Sequence, residues 1–458
     1  MIDLTKGKEL SLILKLSLPL VLANILQNTY NLVDTIIVGN YISKNALAAV
    51  GASFPIIYLM IALVIGIGSG GSVVVSQYFG AKQTDKVRRS VDTILISLFA
   101  AGIIVMTVGL LASGWFFRIL DVPSDVIPEA TQYLRIYWLG SPFFFAFTGL
   151  NSVLRGIGDT KRPLYFITLA TVLNIILDII LVTKLGYGVG SVALATIIAQ
   201  TVGFVVAMVY LRRNNKIFST SLNGFVFDKE IFRQIIRIGI PTGIQQSVVA
   251  IGMIALMKFI AGFGTNAIAA YSSAVRIDSF ANIPSLTFAS ALSSFVGQNI
   301  GANKLERVKK GLHSTILVSL LYCAIVTTLI IIFGNQVMSF FSNDMDVIAI
   351  GQEYLVIVSS FYMLFALMNC FVGLLRGAGA SIVPMITTIF SLWLVRVPLA
   401  YILSERIGVT GIWWSVPSGY GMGFLLSFLY YKFGNWRKFS VIKHDKHEYD
   451  EVPYDEMP

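Results

Sequence analysis

Cysteine and histidine, the side chains that most often bind transition metals or act as nucleophile and base, are scarce in this sequence of 458 residues. Cys323 and Cys370 are the two cysteines, and both lie inside apolar runs, which excludes a disulfide framework and a CxxC metal site. His444 and His447 belong to a polar tail, and two histidines alone make a weak metal signal. Only His313 lies before the tail, so we expect no enzyme and no cofactor.

Charge is also in short supply. Only 13% of the residues are charged, 56% are hydrophobic, and the mean hydropathy of +0.77 is too high for a soluble surface. The net charge of +10 comes from short Lys and Arg clusters between apolar runs, as in the cytoplasmic loops of membrane proteins. We therefore expect a lipid bilayer as a partner, and not nucleic acid.

Apolar runs long enough to cross a bilayer as helices, which takes roughly 20 residues, recur along the whole chain. The first run is too long for a signal peptide and has no cleavage site of small residues. The sequence thus predicts an all-α polytopic membrane protein with twelve transmembrane helices. Their approximate ranges are 10–39, 50–78, 90–115, 130–153, 163–183, 188–211, 233–262, 267–298, 310–336, 350–374, 382–403 and 410–433.

Basic residues alternate from one loop to the next, which indicates the orientation. The loops with most Lys and Arg should face the cytoplasm, and both termini lie on that side. We therefore predict a multi-pass protein of the inner (plasma) membrane. The basic loop residues are Lys82, Lys86, Arg88, Arg89, Arg155, Lys161, Arg162, Arg212, Arg213, Lys216, Lys304, Arg307, Lys309 and Lys310.

The sequence repeats itself at a constant offset. NALAAVGA from Asn45 resembles NAIAAYSS from Asn266, 221 positions later, and LRGIGDTKRP resembles LRGAGASIVP at the same offset. Because six spans bring the chain back to its starting side, the two copies are parallel repeats, with the substrate expected between them. The predicted units are an N-terminal lobe 1–211, a cytoplasmic linker 212–232, a C-terminal lobe 233–433 and a polar cytoplasmic tail 434–458.

Several segments resemble the multidrug and toxic compound extrusion (MATE) family: VDTIIVG in the first span, LRGIGDTKRP after the fourth, NIILDIILV in the fifth and VALAT in the sixth. The resemblance implies a V-shaped transporter of two lobes. It also implies export of small organic, cationic or amphipathic compounds in exchange for H⁺ or Na⁺. We expect such a protein to act as a monomer.

The resemblance also implies a cation-coupling cluster in the N-terminal half. Its members are Tyr30, Asp34, Asn174, Asp178 and Thr196. In the C-terminal half no equivalent carboxylate is expected, because an alanine stands at the repeat position of Asp34, and the sequence looks nearer the DinF-like branch of the family.

The chemistry of these residues suits that role. A carboxylate inside hydrocarbon must be paired, protonated or bound to a cation. Tyr30 and Asp34 are four residues apart, as are Asn174 and Asp178, so each pair shares a helix face. The alternative interpretation is structural: the two aspartates would hydrogen-bond to backbone at kinks, and Asn174 and Thr196 would form ordinary interhelical hydrogen bonds.

Three more charges lie inside predicted spans: Arg276 and Asp278 in the eighth, and Arg396 in the eleventh. We consider them candidates for gating or substrate contact, and two residues apart on a helix, Arg276 and Asp278 do not share a face. The glycine-rich GIGSGG from Gly66 lies inside a span, so it is interpreted as a helix-packing segment and not as a dinucleotide site.

Two other transport functions remain open from the sequence. A lipid-linked oligosaccharide flippase of a related fold would share the repeat, but would be expected to line its cavity with basic residues. A channel would differ by flux that is not coupled to an ion gradient.

Overall fold

The computed structural model describes residues 2–120, 122–185, 187–214, 216–218 and 226–443, which form helices and no strand. The predictions for His444 and His447, and those for residues 215 and 219–225 of the 212–232 linker, therefore lie outside the described residues. The spans, numbered in chain order, are span 1 Glu9–Tyr41, span 2 Lys44–Gly80, span 3 Thr84–Ile119, span 4 Ile127–Leu139 and Ser141–Gly156, span 5 Lys161–Asp178 with Ile179–Lys184, span 6 Gly190–Asn214, span 7 Lys229–Ala261, span 8 Thr265–Gly301, span 9 Leu305–Ser339, span 10 Met345–Ser359 and Tyr362–Gly377, span 11 Ile382–Ile389, Phe390–Arg396 and Val397–Ile407, and span 12 Val409–Phe433.

The all-helical, two-repeat architecture predicted from the sequence is confirmed. Eight helices in the described ranges are long and apolar enough to cross a membrane by themselves, and the two helices of span 10, bent by 50°, make a ninth. Spans 4, 8 and 12 take the remaining places in the series. The twelve-span architecture accordingly rests on helix order and repeat as well as on hydropathy.

Two interruptions in the spans were not predicted. Span 4 breaks at Gly140, and span 10 breaks at the repeat-equivalent Phe361. In span 4, Pro142 lies in the first turn of the second helix. Proline has no N–H to donate, which is tolerated at the start of a helix but would interrupt a helix that continued through this position. Spans 5 and 11 each contain a stretch of wider, π-helical turns, a feature that often accompanies functional sites.

The first span of each half packs against the other half. Leu12, Ile13 and Leu16 of span 1 belong to a buried apolar cluster formed with spans 8 to 10. Ile235 and Ile238 of span 7 belong to the apolar cluster of the N-terminal half. The first spans of both repeats thus cross between the two lobes and join them.

Glycines allow the lobes to approach closely where spans 2, 7 and 8 meet. A Cβ atom on Gly80 would lie 1.9 Å from the carbonyl oxygen of Gln298, and one on Gly70 would lie 2.3 Å from that of Ile235. A Cβ on Gly66 would meet the backbone of span 7 at 2.7 Å. The helix-packing interpretation of the GIGSGG segment is confirmed.

A pair of repeat-equivalent glutamines links the lobes at this end of the molecule, which we call the closed end. Gln77 Nε2 donates to the carbonyl of Gly377 at 3.0 Å, and Gln298 Nε2 donates to the carbonyl of Gly156 at 2.9 Å. Both amides are fully buried. Each hydrogen bond joins one half of the chain to the other.

Segments near the two ends of the chain donate hydrogen bonds to the side-chain oxygens of the same two glutamines. The backbone N–H of Leu4 donates to Gln298 Oε1 at 3.0 Å, and that of Val441 donates to Gln77 Oε1 at 2.7 Å. Each amide group therefore has its oxygen and its nitrogen engaged. Because buried amides that lose one partner are destabilising, the four contacts stabilise the closed end together.

Candidate functional site

A cavity of about 470 Å³ lies between the two halves. Residues from Val50 to Ser72 of span 2 line one wall. At 1.5 Å per residue this wall is roughly 33 Å long. The cavity ends at the closed end of the molecule, where Gly156 and Gly377 are held. Its lining is largely apolar with polar groups toward both ends, as in sites for amphipathic molecules.

Asp34 and Asp178 lie together on the N-terminal lobe at the end of the cavity far from the closed end. The carboxyl group of Asp34 faces that of Asp178, and Asp34 lines the cavity whereas Asp178 is completely buried behind it. Asp178 is the last residue before the π-helical turns of span 5. The structure thus brings together two carboxyl groups that are 144 positions apart in the sequence.

The polar residues predicted to accompany them are nearby. Asn174, one turn before Asp178, donates from Nδ2 to Thr196 Oγ1 at 3.4 Å, and the Thr196 hydroxyl donates to the carbonyl of Val192 at 3.1 Å. Tyr30, one turn before Asp34, also lines the cavity. Spans 1, 5 and 6 therefore contribute the five predicted residues to one region.

The sequence did not identify four further polar neighbours. Tyr133 and Tyr137 of span 4 lie near Asp34 with ring centroids 6.2 Å apart, and Gln27 and Gln200 contact the Tyr30 hydroxyl. All four line the cavity. The two tyrosines are four residues apart, so their shared helix face was the available signal.

The carboxylate pair has few compensating partners. Neither oxygen of Asp178 receives a hydrogen bond of normal geometry from the described residues, and Oδ1 of Asp34 likewise has none. No lysine or arginine in the described part of the chain forms an ion pair with either group. Buried acceptors without donors are costly, so the pair can bind a proton or a small cation favourably.

The three charges singled out in the C-terminal half do not line this cavity. Asp278 accepts hydrogen bonds from the Tyr362 hydroxyl at 2.6 Å and from Asn282 Nδ2 at 3.0 Å, with Arg396 in its vicinity. Arg276 is exposed and has no polar partner among the residues that the structure describes. Asp278 is thus better provided with donors than Asp178.

A helical membrane protein built from two parallel repeats around a central cavity has the architecture typical of a membrane transporter. Comparison with known protein families gives the same answer. The MatE family model matches residues 19–180 and 241–402, and the chain belongs to this family. The two matched stretches are offset by 222 positions, which confirms the internal repeat.

Curated relatives are similar over nearly their full length. The probable multidrug resistance protein YoeA of Bacillus subtilis is 31% identical over 434 residues, covering 93% of this chain and 94% of that protein. The probable multidrug resistance protein NorM of Thermotoga maritima is 26% identical over 442 residues, covering 95% and 94%. Both relatives are described as probable multidrug resistance proteins, and this chain, as a member of the family, is a transporter and not an enzyme.

Solved structures agree with the fold. One described as the outward-facing conformation of a multidrug resistance MATE family transporter of the MOP superfamily has a TM-score of 0.88 at 27% identity, covering 94% of this chain and 96% of that one. A MATE structure in the bent conformation has a TM-score of 0.88 at 26% identity, covering 96% and 98%. A second family model, that of the lipid II flippase MurJ, matches residues 124–263.

Proposed function

We propose that this transporter is a secondary active antiporter, which exports small organic compounds, cationic or amphipathic, in exchange for H⁺ or Na⁺. The observation that carries the proposal is the pair formed by Asp34, which lines the cavity, and the buried Asp178, neither of which has a cationic partner in the described structure. A coupling cation would bind there when the substrate is absent. Asn174, Tyr30 and Thr196 would supply further oxygen atoms and orient the two carboxylates.

The contacts at the closed end support a mechanism of alternating access. The lobes would separate where Gln77 and Gln298 now join them, while the opposite end closes. The lobes 1–211 and 233–433 are the moving units of this proposal, with 212–232 as their linker and 434–458 as a cytoplasmic tail. We propose that the protein works as a monomer, since the cavity lies within one chain.

Purified protein in liposomes tests the coupling. Export of a fluorescent organic cation is followed while a pH gradient or a sodium gradient is imposed separately. A gradient of one cation should accelerate export, and dissipating that gradient with an ionophore should return the export rate to the value measured without a gradient. Export that is equally fast without either gradient would contradict antiport and would indicate a channel.

Removing the second carboxylate should weaken cation binding without abolishing it. In Asp178→Asn the amide keeps the shape of the side chain, but the negative charge beside Asp34 is lost. We expect the cation concentration for half-maximal export to rise about tenfold or more, because a neighbouring negative charge favours the bound cation. The measurement is export rate against pH and against sodium, and an unchanged profile would assign Asp178 a purely structural role.

The orientation is tested by labelling in intact cells. Tags near Asn223 and after Pro458 should be accessible only from the cytoplasm, and a tag near the exposed Asp344 should be accessible from outside. The physical basis is the alternation of basic loops along the chain. Labelling at Pro458 from outside would overturn both the orientation and the proposed direction of transport.

A flippase for lipid-linked oligosaccharides is the second candidate, and the partial match to the MurJ model favours it. The same liposomes distinguish the two functions. A flippase would move a lipid-linked sugar between leaflets in preference to soluble organic cations. The antiporter proposal requires the opposite preference.

A further inference from the structure

Two arginines face the cavity near its closed end. Arg155 ends span 4 and Arg376 ends span 10, and the two are repeat-equivalent, 221 positions apart. The sequence pattern placed Arg155 in a cytoplasmic loop, but it lies in the last helical turn and lines the cavity together with Arg376. Loop assignment from charge identifies the side of the membrane and not the direction of a side chain.

Neither guanidinium is neutralised by a carboxylate within the described ranges. Arg155 donates from an Nη atom to Ser152 Oγ at 2.6 Å, and Arg376 donates from an Nη atom to Gln245 Oε1 at 3.0 Å. The buried Nε of Arg376 has no acceptor among the described residues. Since a guanidinium has five N–H donors, each arginine keeps donors free for a ligand.

Serine hydroxyls surround the same part of the cavity in repeat-related pairs. Ser69 and Ser72 of span 2 correspond to Ser290 and Ser293 of span 8, and all four line the cavity. Their hydroxyls form no hydrogen bond with the parts of the protein that the structure describes. Two guanidinium groups and four hydroxyls thus offer donors from both lobes to one space.

A favourable interaction with the helix C-terminus explains only part of this arrangement. Cations in a last helical turn are stabilised by the carbonyl groups there, and both arginines occupy such turns. That interaction needs neither a cavity-facing side chain nor a buried Nε without an acceptor. The guanidinium donors without acceptors are suited to binding an anion.

We propose that Arg155 and Arg376, with the four serines, form a binding site for the phosphate-type anionic head group of an amphipathic molecule. Guanidinium groups bind phosphate oxygens with two parallel hydrogen bonds, and the hydroxyls add single donors. The adjoining wall carries Ile61, Val64 and Ile65, against which a hydrocarbon chain would pack. An amphiphile therefore fits better than a free inorganic ion.

This site is distinct from the proposed cation site. Asp34 and the arginines lie toward opposite ends of a cavity roughly 33 Å long, judged from span 2. Binding of the anion requires no gradient and no particular coupling ion. The inference extends the substrates beyond organic cations, and its failure would leave the antiporter proposal intact.

Calorimetric titration of the protein in a neutral detergent with dodecyl phosphate tests the site. We expect saturable binding that weakens about tenfold or more in Arg155→Gln and in Arg376→Gln, because each loses charge-assisted hydrogen bonds. The double variant should show no binding, and Arg88→Gln, which removes an exposed positive charge outside the cavity, should bind as the unaltered protein does. Ser72→Ala combined with Ser293→Ala should also weaken binding, which gives a test without charge removal.

Competition distinguishes the natural sources of such a group. Displacement of dodecyl phosphate by phosphatidylglycerol would indicate a membrane lipid, and displacement by glycerol 3-phosphate would indicate a soluble phosphate. Each variant is first shown to elute as a single species and to bind a dodecyl trimethylammonium ion normally. Equal affinity for dodecyl phosphate in the unaltered protein and the double arginine variant would overturn the proposal, as would affinity no greater than that for an uncharged dodecyl compound.

Discussion

Substitution of Asp34 by asparagine should reduce gradient-driven export to the rate seen without a gradient. The amide keeps the size of the side chain but can neither release a proton nor carry the charge that holds a sodium ion. Substrate binding should persist, because the apolar walls of the cavity and Tyr133 and Tyr137 are unchanged. Export in liposomes and binding in detergent are measured in parallel.

A matched control removes an acidic group elsewhere. Asp85 is exposed at the start of span 3 and does not line the cavity, so Asp85→Asn should export at the unaltered rate. If Asp34→Asn exports as fast as the unaltered protein under the same gradient, Asp34 has a structural role and the coupling site lies elsewhere. Asp278 would then be the next carboxylate to substitute.

Leucine at Gly80 should force the closed end apart. A Cβ atom there would lie 1.9 Å from a backbone oxygen of span 8, which cannot turn aside as a flexible side chain could. Overpacking of this kind costs about 1–3 kcal/mol. The population open at this end should therefore rise roughly 5- to 150-fold. In the same span, Gly51→Leu is the control, because nothing lies within 4 Å of a Cβ atom at that position.

Spin labels report the separation of the lobes. Cysteines placed at the exposed Gln83 and Lys310, after replacement of the buried Cys323 and Cys370, carry one label on each half. Pulsed electron paramagnetic resonance should give a longer distance between the two spin labels in Gly80→Leu than in the unaltered protein or in Gly51→Leu. An unchanged distance distribution would mean that the Gly80 contact does not control closure.

Much of the architecture could be predicted from the sequence, because span length, basic loops and the repeat are periodic features. The constant offset between Asn45 and Asn266 indicated two parallel halves, and the structure and the family match agree. The spacing of Asp34 and Asp178 with their fourth-residue neighbours indicated shared helix faces. Whether the two helix faces meet depends on how spans 1 and 5 pack, and that expectation came from the resemblance to the MATE family.

Features set by packing between distant spans were beyond the sequence. In the sequence, Gln77 and Gln298 look like ordinary polar residues at helix ends. Only the folded structure shows that each hydrogen-bonds to the other lobe and to a segment near one end of the chain. Arg155 and Arg376 resemble loop charges for the same reason. The π-helical turns after Asp178 replace an ordinary helix without any Gly or Pro to mark them.

Cation release on substrate binding tests the central claim most directly. Adding the organic substrate to detergent-solubilised protein in weakly buffered solution should release protons, or sodium ions in a sodium-loaded sample, in about one equivalent per chain. The account predicts that this release disappears when Asp34 and Asp178 are both replaced by asparagine, while substrate still binds. Undiminished release from that double variant would contradict the assignment of the coupling site to this carboxylate pair.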